Sequence, residues 1–140
     1  MKIGINIKGL SELNAQIKSL GSAAELAVEE VVWDVGNDTQ KFAQKGIASK
    51  PASGSPRSNN KGNASAAGEY PMTHLGGLIA SIGHDQPAKH QSIVGTSLKY
   101  GKSLEFGTSR MAARPWLGRS FNQAIEKARG KLKKSFEANR

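Results

Sequence analysis

The 140-residue sequence contains no cysteine, few aromatic residues and no long hydrophobic run. The absence of thiols excludes disulfide scaffolds, thiol catalysis, iron–sulfur clusters and cysteine-ligated zinc. A membrane-spanning helix needs ~18–20 consecutive apolar residues, so we expect no contact with a membrane. Residues 1–6 lack the apolar core of a signal peptide, and we therefore expect no cleaved secretory segment.

Acidic residues are scarce near the end of the chain. The whole sequence has a net charge of +9, but residues 1–50 are balanced, whereas residues 110–140 contain nine basic and two acidic side chains. Clustered positive charge of this kind favours an acidic partner, either nucleic acid or an acidic protein surface, although it also occurs on solvated helix faces.

The first part of the chain is predicted to form a strand and then a long helix. Residues 2–8 alternate isoleucine with polar residues or glycine, which is typical of a half-buried strand. From Ser11 to Phe42, apolar residues recur every three or four positions, as in an amphipathic helix. Gly21 interrupts this pattern, and residues 22–25 match a capping box. Either two helices meet at Gly21 or one helix is kinked there.

Residues 48–69 differ in composition from the rest of the chain. They contain no large apolar side chain, and 13 of the 22 positions are Ser, Gly, Pro or Asn. Such a segment buries too little apolar surface to offset the entropy of ordering. We predict a flexible arm at about 48–69 within a single domain that covers residues 1–140, since a domain usually contains ~100–150 residues.

The second half is predicted to contain two strands and a basic helix. A hairpin around Pro87 would join strands at 78–85 and 90–97, and a helix of about 22 residues follows Pro115. The predicted fold is α+β: a small, mainly antiparallel sheet of residues 2–8, 78–85 and 90–97, packed with the long first helix and the basic last helix. The basic face of the last helix consists of Arg119, Lys127, Arg129, Lys131, Lys133 and Lys134.

The sequence offers little for catalysis or metal binding. Residues 95–103 look like a phosphate-binding loop, but five residues instead of four separate the first glycine from the Gly-Lys-Ser. His74, His84 and His90 lack the short paired spacing of a zinc site, and Asp85 is the single carboxylate close to them. No serine lies in a nucleophile elbow. We therefore predict a protein that is not an enzyme and uses no metal or cofactor.

Residues 94–117 carry a more specific pattern. Val94-Gly95-Thr96 is followed by Tyr100, by Leu104-Glu105-Phe106-Gly107-Thr108 and by Arg114-Pro115-Trp116-Leu117. This block resembles the signature of the tail-component family of long-tailed bacteriophages, the small tail-completion or head–tail joining proteins of the neck. Residues 73–82 look like an upstream family motif, without its threonine before Gly77. Gly101 and Trp116 stand where the family usually has alanine and phenylalanine.

The resemblance implies a structural virion protein in the tail or neck, assembled in the host cytoplasm. It would form a homo-oligomeric ring, expected to be a hexamer, that completes the tail end. Its partners would be the head connector or stopper and the tail tube or tail terminator, with non-specific contact to DNA in the channel. The alternative function is non-specific nucleic-acid binding through the basic C-terminal helix, although this helix lacks interleaved aromatics for base stacking.

Physical roles can be assigned to the residues of this block. Glu105 stands beside apolar residues and needs a partner, for which Arg110 and Arg114 are the nearest cations in the sequence. Gly107 is expected to supply a turn conformation, and Pro115 to lie in the first turn of the helix. Trp116 and Leu117 could be core or interface anchors. The motif residues Tyr100, Glu105, Phe106, Gly107, Thr108, Arg114, Pro115, Trp116 and Leu117 could therefore either maintain the fold or contact a partner.

Two further expectations concern assembly. The 48–69 arm is a candidate for ordering on a partner, since disordered segments often fold on binding. The basic helix could meet an acidic connector or tail surface, DNA in the channel, or the acidic residues Glu25, Glu29 and Glu30 of a neighbouring subunit.

Overall fold

The computed structural model describes residues 21–49, 53–56, 62–72 and 76–138, without the side chains of 22–24 and 136. The fold is α+β, as predicted: two long helices pack with a two-stranded antiparallel sheet. The predicted strand at 2–8 and the predicted helix over 11–20 lie outside the described residues. The elements are α1 (Ser22–Ala48), α2 (Gly77–Ser81), β1 (Ile82–Asp85), β2 (Ile93–Thr96), α3 (Lys99–Phe106) and α4 (Leu117–Ala138).

Helix α1 follows the apolar periodicity of its sequence. Its buried stripe recurs every three or four residues, which places these side chains on one face. The helix begins at Ser22 with Gly21 in the N-cap position, at φ 90°. The chain is therefore not helical at Gly21, and Ser22 does not act as the N-cap that the predicted capping box required. The buried residues of α1 are Val28, Val32, Val35, Gly36, Thr39, Ala43 and Ile47.

The strands are shorter than the sequence predicted. In the hairpin, Ile82 lies opposite Thr96 and Asp85 lies opposite Ile93. The prediction of a strand from residue 78 is wrong, because residues 77–81 form the short helix α2. Leu78 and Ile82 are four positions apart, so one helical turn directs both into the core, where each is buried.

The core lies between the C-terminal half of α1, the hairpin and the start of α4. Trp116 is at its centre and is completely buried. Buried apolar residues from five elements belong to the same cluster, and burying a side chain of this size removes some 150–250 Å² of surface from water. The core cluster consists of Ala43, Ile47, Leu78, Ile82, Val94, Trp116 and Leu117.

The hairpin lies close to the backbone of α1 at Gly36. The Ser92 hydroxyl donates a hydrogen bond to the Val32 carbonyl at 2.9 Å, and the His84 Nε2 lies 3.1 Å from the Ser92 Oγ. Since the Ser92 hydrogen is directed to Val32, the imidazole is the donor to Ser92. A Cβ atom on Gly36 would lie 2.3 Å from the His84 Nε2, so only glycine allows this approach.

Parts of the predicted arm are hydrogen-bonded to each other and to the rest of the fold. The Gly54 N–H donates to the Ala64 carbonyl at 2.8 Å, and the Ala64 N–H donates to the Ser55 carbonyl at 3.0 Å. The Gly68 N–H donates to the Ala113 carbonyl at 2.9 Å. At these points the predicted arm is attached to the rest of the fold. Its first residue, Ala48, is the last residue of α1.

Within the described ranges, no helix combines the length and the apolar character that crossing a membrane requires.

Replacing Gly36 with alanine should lower the free energy of unfolding by ~1–3 kcal/mol, because the added methyl group overpacks the contact with His84. The matched control is Gly130→Ala in α4, where a Cβ meets no atom within 4 Å. That substitution should stabilise the protein by up to ~1 kcal/mol through helix propensity alone. Urea unfolding of both variants measures the difference, and equal effects would contradict the close approach.

Candidate functional site

The carboxylate of Glu105 lies at the start of α4. Its Oε2 accepts hydrogen bonds from the backbone N–H groups of Trp116 at 2.7 Å and Leu117 at 2.8 Å. Its Oε1 accepts one from the N–H of Gly118 at 2.9 Å. The first N–H groups of a helix lack partners within the helix, and its N-terminus attracts negative charge. Glu105 therefore joins the end of α3 to the beginning of α4.

This contact corrects two expectations from the sequence. Three backbone N–H groups satisfy the Glu105 carboxylate, whereas Arg114 donates to the carbonyls of Ser65 and Ala112. Pro115 precedes the first residue of α4 by two positions and does not lie in its first turn. Proline has no N–H group to offer, so the carboxylate binds the N–H groups that come after it.

Gly107 allows the chain to leave α3 and return towards α4. Its φ is 75°, in the region that favours glycine, as the sequence predicted. A Cβ here would lie 2.8 Å from the Met111 oxygen and 2.9 Å from the Ala113 nitrogen. The Thr108 N–H donates to the Met111 carbonyl at 2.8 Å, and the Arg114 N–H donates to the Leu104 carbonyl at 2.7 Å. These bonds bring the two ends of the loop together.

Trp116 is a core residue and not an exposed anchor. Its indole N–H donates to the carbonyl of Gly101 at 3.0 Å. A Cβ on Gly101 would lie 2.4 Å from Thr96 Cγ2 and 3.5 Å from the indole, so α3 rests closely on the tryptophan and on β2. Leu117 is also buried. For these two residues, the structure favours a role in the fold.

Other residues of the motif face solvent. The Phe106 side chain is 66% exposed and that of Tyr100 is 49% exposed. Both belong to α3, next to Gly101 and Glu105, whose contacts fix the position of this helix. Thr108 is also exposed, and its hydroxyl accepts a hydrogen bond from the Arg110 N–H at 3.3 Å. The motif thus divides into an internal part and an apolar surface that is available to a partner.

Segment 62–72 is attached to this junction by two arginines and a tyrosine. Arg114 Nε donates to the Ser65 carbonyl at 3.0 Å, and Arg119 donates to the Gly68 carbonyl at 2.7 Å. The Arg119 guanidinium lies 5.1 Å from the centre of the Tyr70 ring, within cation–π distance. The Tyr70 hydroxyl lies 3.0 Å from the Ser120 Oγ. Arg119 therefore supports the junction as well as belonging to the basic face.

Glu69 organises the two described parts of the predicted arm. Its carboxylate accepts hydrogen bonds from the Ser53 hydroxyl, from the Ser53 N–H at 3.2 Å and from the Ala66 N–H at 2.7 Å. These bonds, with that of the Ser53 hydroxyl as the main cause, lower the pKa of Glu69 below its ordinary value. Hydrogen bonds to the Glu69 carboxylate thus hold together a segment that has few apolar side chains to pack.

Two residues of the basic face hold α4 against α1. Lys127 forms an ion pair with Asp38 at 2.8 Å, and Lys131 forms one with Asp34 at 3.1 Å. The hydrogen bond that Lys131 donates to Asp34, together with the charge of Asp34, raises the pKa of Lys131 above its ordinary value. These pairs are not predicted from the sequence, although each helix places its two residues four positions apart, on one face.

The rest of the basic face has local partners or faces solvent. Arg129 lies 3.1 Å from Glu126, and Lys133 lies 4.0 Å from Glu137, both within α4 and both highly exposed. Lys134 is also exposed. Exposed ion pairs of this type contribute little to stability, so these three cations are accessible to a partner, as are the half-exposed side chains of Lys127 and Lys131.

The histidines do not form a metal site in the part of the chain that the structure describes. His74 lies outside the described residues, and no group of three or more potential ligands occurs among those that are described. His84 instead packs on the Trp33 ring, with ring centres 4.5 Å apart. Burial lowers the pKa of His84 below its ordinary value of 6.5, although the charge of Asp85 opposes the shift.

Comparisons with known proteins add no relative from which a role could be inferred. No protein-family model, curated protein or solved structure matches the chain. The candidate site is therefore the junction of α3 and α4, with its exposed apolar residues and the neighbouring charged helix faces.

Replacing Glu105 with glutamine should lower the free energy of unfolding by ~1–2 kcal/mol, because the neutral amide loses the charge-assisted bonds and offers one acceptor oxygen for three N–H groups. Glu126→Gln is the control, since that carboxylate is exposed on α4, and we expect a change within ~0.5 kcal/mol. Urea unfolding at neutral pH provides the measurement. A Glu105 variant as stable as the control would contradict the capping role.

The stability of the fold should decrease as the pH falls through 6.5. The unfolded chain binds a proton at His84 more readily than the folded protein does, because the folded protein lowers this pKa. The contribution of a neutral His84 is thus fully present above the unfolded-state pKa of 6.5 and is lost progressively as the pH falls below it towards the lower pKa of the folded protein. Urea unfolding midpoints of the natural chain and of His84→Gln should converge as the pH falls. Parallel pH profiles would contradict this assignment.

Proposed function

We propose that this protein is a structural virion component of a tailed phage, which forms a ring that completes the tail end and joins it to the head connector. The proposal rests on the resemblance of residues 94–117 to the tail-component family, together with the geometry of those residues. Its action would be mechanical: each subunit would present one face to the head side and another to the tail side, around the DNA channel.

The observation that carries the proposal is that the family-like residues form one junction. Glu105 binds the backbone of residues 116–118, Gly107 turns the chain between them, and the Trp116 indole binds Gly101. The spacing between Glu105 and residues 116–118 therefore matters for the structure, since the carboxylate must reach the start of α4. A chance similarity of sequence would not require its residues to be in mutual contact.

The junction also suits an assembly protein because it holds exposed apolar side chains on a fixed support. Tyr100 and Phe106 belong to α3, whose position is set by Gly101 on one side and by Glu105 on the other. Large aromatic side chains that are held rigidly lose little entropy on binding, which is typical of residues that dominate interfaces. The number of subunits, six, comes from the resemblance.

Non-specific binding of nucleic acid is the second candidate function, and the charge of the C-terminal region favours it. Residues 110–140 have a net charge of +7. Against it, Lys127 and Lys131 are paired with Asp38 and Asp34 of α1, which reduces the charge available to phosphates. Arg129 and Lys133 also have carboxylates beside them, those of Glu126 and Glu137, so acidic neighbours offset much of the charge that strong binding by counterion release would need.

Native mass spectrometry and negative-stain microscopy of the purified chain test the neck proposal, with and without the connector and tail-tube proteins of the same phage. We expect closed rings, either alone or on tail ends, and head–tail joining in a mixture of heads, tails and this protein. A chain that stays monomeric in the presence of these partners and does not join heads to tails would contradict the proposal.

A binding experiment with duplex DNA distinguishes the second candidate function. We expect weak binding at about 0.15 M salt, with an affinity that falls steeply as salt increases. The double variant Lys133→Glu/Lys134→Glu should abolish this binding and leave ring formation unchanged. Tight DNA binding by a monomer that is lost in this variant would favour the nucleic-acid function instead.

A further inference from the structure

One end of the molecule carries an acidic surface with exposed apolar residues. Leu26 is 71% exposed and Trp33 is 45% exposed, and their spacing of seven residues places both on one face of α1. Acidic side chains lie beside them, and the sequence from residue 21 to residue 40 contains five acidic residues and no basic one. We define the acidic surface as Leu26, Glu29, Glu30, Trp33 and Asp85.

The acidic surface retains negative charge after its internal contacts are considered. Of the acidic residues of α1, Asp34 and Asp38 are paired with lysines of α4, and Glu30 also interacts electrostatically with Lys131. Glu29 accepts a hydrogen bond from the neutral amide of Gln86 at 3.2 Å, which does not neutralise it. A contact between two copies of this surface would bring like charges together, so the acidic surface is not self-complementary.

The other end carries a basic surface with exposed aromatic residues. Phe106 and Tyr100 project from α3, and the basic side chains near them are exposed. The single acidic residue between positions 97 and 112 is Glu105. Its carboxylate is directed to the N–H groups of α4 and is bound there. We define the aromatic basic surface as Lys99, Tyr100, Lys102, Phe106 and Arg110.

The two surfaces lie at opposite ends of the fold. Gln86, in the hairpin turn, contacts Glu29 near the beginning of α1. The side-chain amides of Gln40 and Gln44, further along α1, donate to the carbonyls of Ile82 and Ile79. The hairpin therefore runs along α1, and α3 follows at the far end, where Gly101 rests against Leu78. From Trp33 to Ile47, which is close to this end, α1 rises by about 20 Å.

We propose that the acidic surface of one subunit binds the aromatic basic surface of the next, and that this contact closes the ring. Surfaces of opposite charge at opposite ends of one chain cannot meet within it, but they complement each other between copies. Such a head-to-tail interface gives a ring when its rotation closes. The inference rests on the proposed function for the ring itself, and it names the residues that form the contact.

The chemistry of the two surfaces suits an interface of this kind. Trp33 and Leu26 would meet Tyr100 and Phe106 in an apolar centre, since aromatic residues are enriched in the centres of interfaces. The charged residues would form the rim, where they orient the subunits and exclude like-to-like contacts. Charges on a rim are screened by salt, so the association should weaken as ionic strength increases.

Charge exchange between the two surfaces tests the interface. The first variant is Glu29→Lys/Glu30→Lys and the second is Lys99→Glu/Lys102→Glu. Each variant alone places like charges opposite each other, so its self-association should be at least ~10-fold weaker than that of the natural chain. In an equal mixture, every contact between the two variants pairs opposite charges, so association should return. Analytical ultracentrifugation at low salt and native mass spectrometry measure both effects.

Matched variants control for the change of net charge. Glu126→Lys/Glu137→Lys makes the same change as the first variant on exposed positions of α4, and Lys133→Glu/Lys134→Glu makes the same change as the second. Both controls should associate like the natural chain. Thermal unfolding of all four variants checks that each is folded.

Cross-linking gives a second readout that does not depend on the strength of association. Because the chain has no cysteine, one can be introduced in each of two proteins, Glu30→Cys and Lys102→Cys. Under mild oxidation, the mixture should form the disulfide between unlike chains in large excess over either protein alone. Gln123→Cys, on an exposed position of α4, replaces Glu30→Cys in the control mixture and should give no such excess.

The outcomes separate this inference from the proposed function. Rings that persist in both charge variants, or equal cross-linking in the test and control mixtures, would overturn the interface and leave the neck proposal standing. Restored association in the mixture, from a protein that does not join heads to tails, would support the interface and contradict the neck proposal. No association of the natural chain at any salt concentration, with no cross-linking of the mixture, would overturn the interface.

Discussion

The Glu105 carboxylate lies where the first N–H groups of α4 need acceptors, and much of the structure depends on this contact. It fixes the start of α4, so that Trp116 enters the core and its indole reaches the carbonyl of Gly101. Gly107 makes the contact possible by turning the chain between α3 and α4. The same contact directs the single acidic residue of α3 to the start of α4, so that the exposed side of this helix is basic and aromatic.

The charge of the chain has two roles that composition does not separate. Lys127 and Lys131 face α1 and pair with Asp38 and Asp34, so part of the positive charge stabilises the packing of the two long helices. Acidic neighbours therefore offset part of the positive charge of α4. The high pI is therefore weaker support for nucleic-acid binding than the composition alone suggests. The acidic and basic surfaces at opposite ends of the fold are instead complementary between two copies of the chain.

Local periodicity predicted the elements that extend over several turns, and it was less successful for short elements. The stripe of α1 and the 22-residue helix α4 follow directly from apolar spacing. The prediction of a strand over 78–85 is wrong for residues 78–81, whose apolar residues fit either period over so short a length and which belong to a helix. The partner of Glu105 was predicted to be an arginine because sequence proximity was the only guide, whereas the backbone of α4 is brought to it by the loop.

The sequence by itself determined the α+β class, the two long helices, the turn at Gly107 and the block of family-like residues, because each depends on neighbours within a few positions. The tertiary structure alone decided which members of that block are buried, which cations of α4 are paired, and how close the hairpin approaches Gly36. These properties arise from contacts between residues far apart in the chain, such as Asp38 with Lys127. Local sequence patterns do not predict which distant residues come into contact.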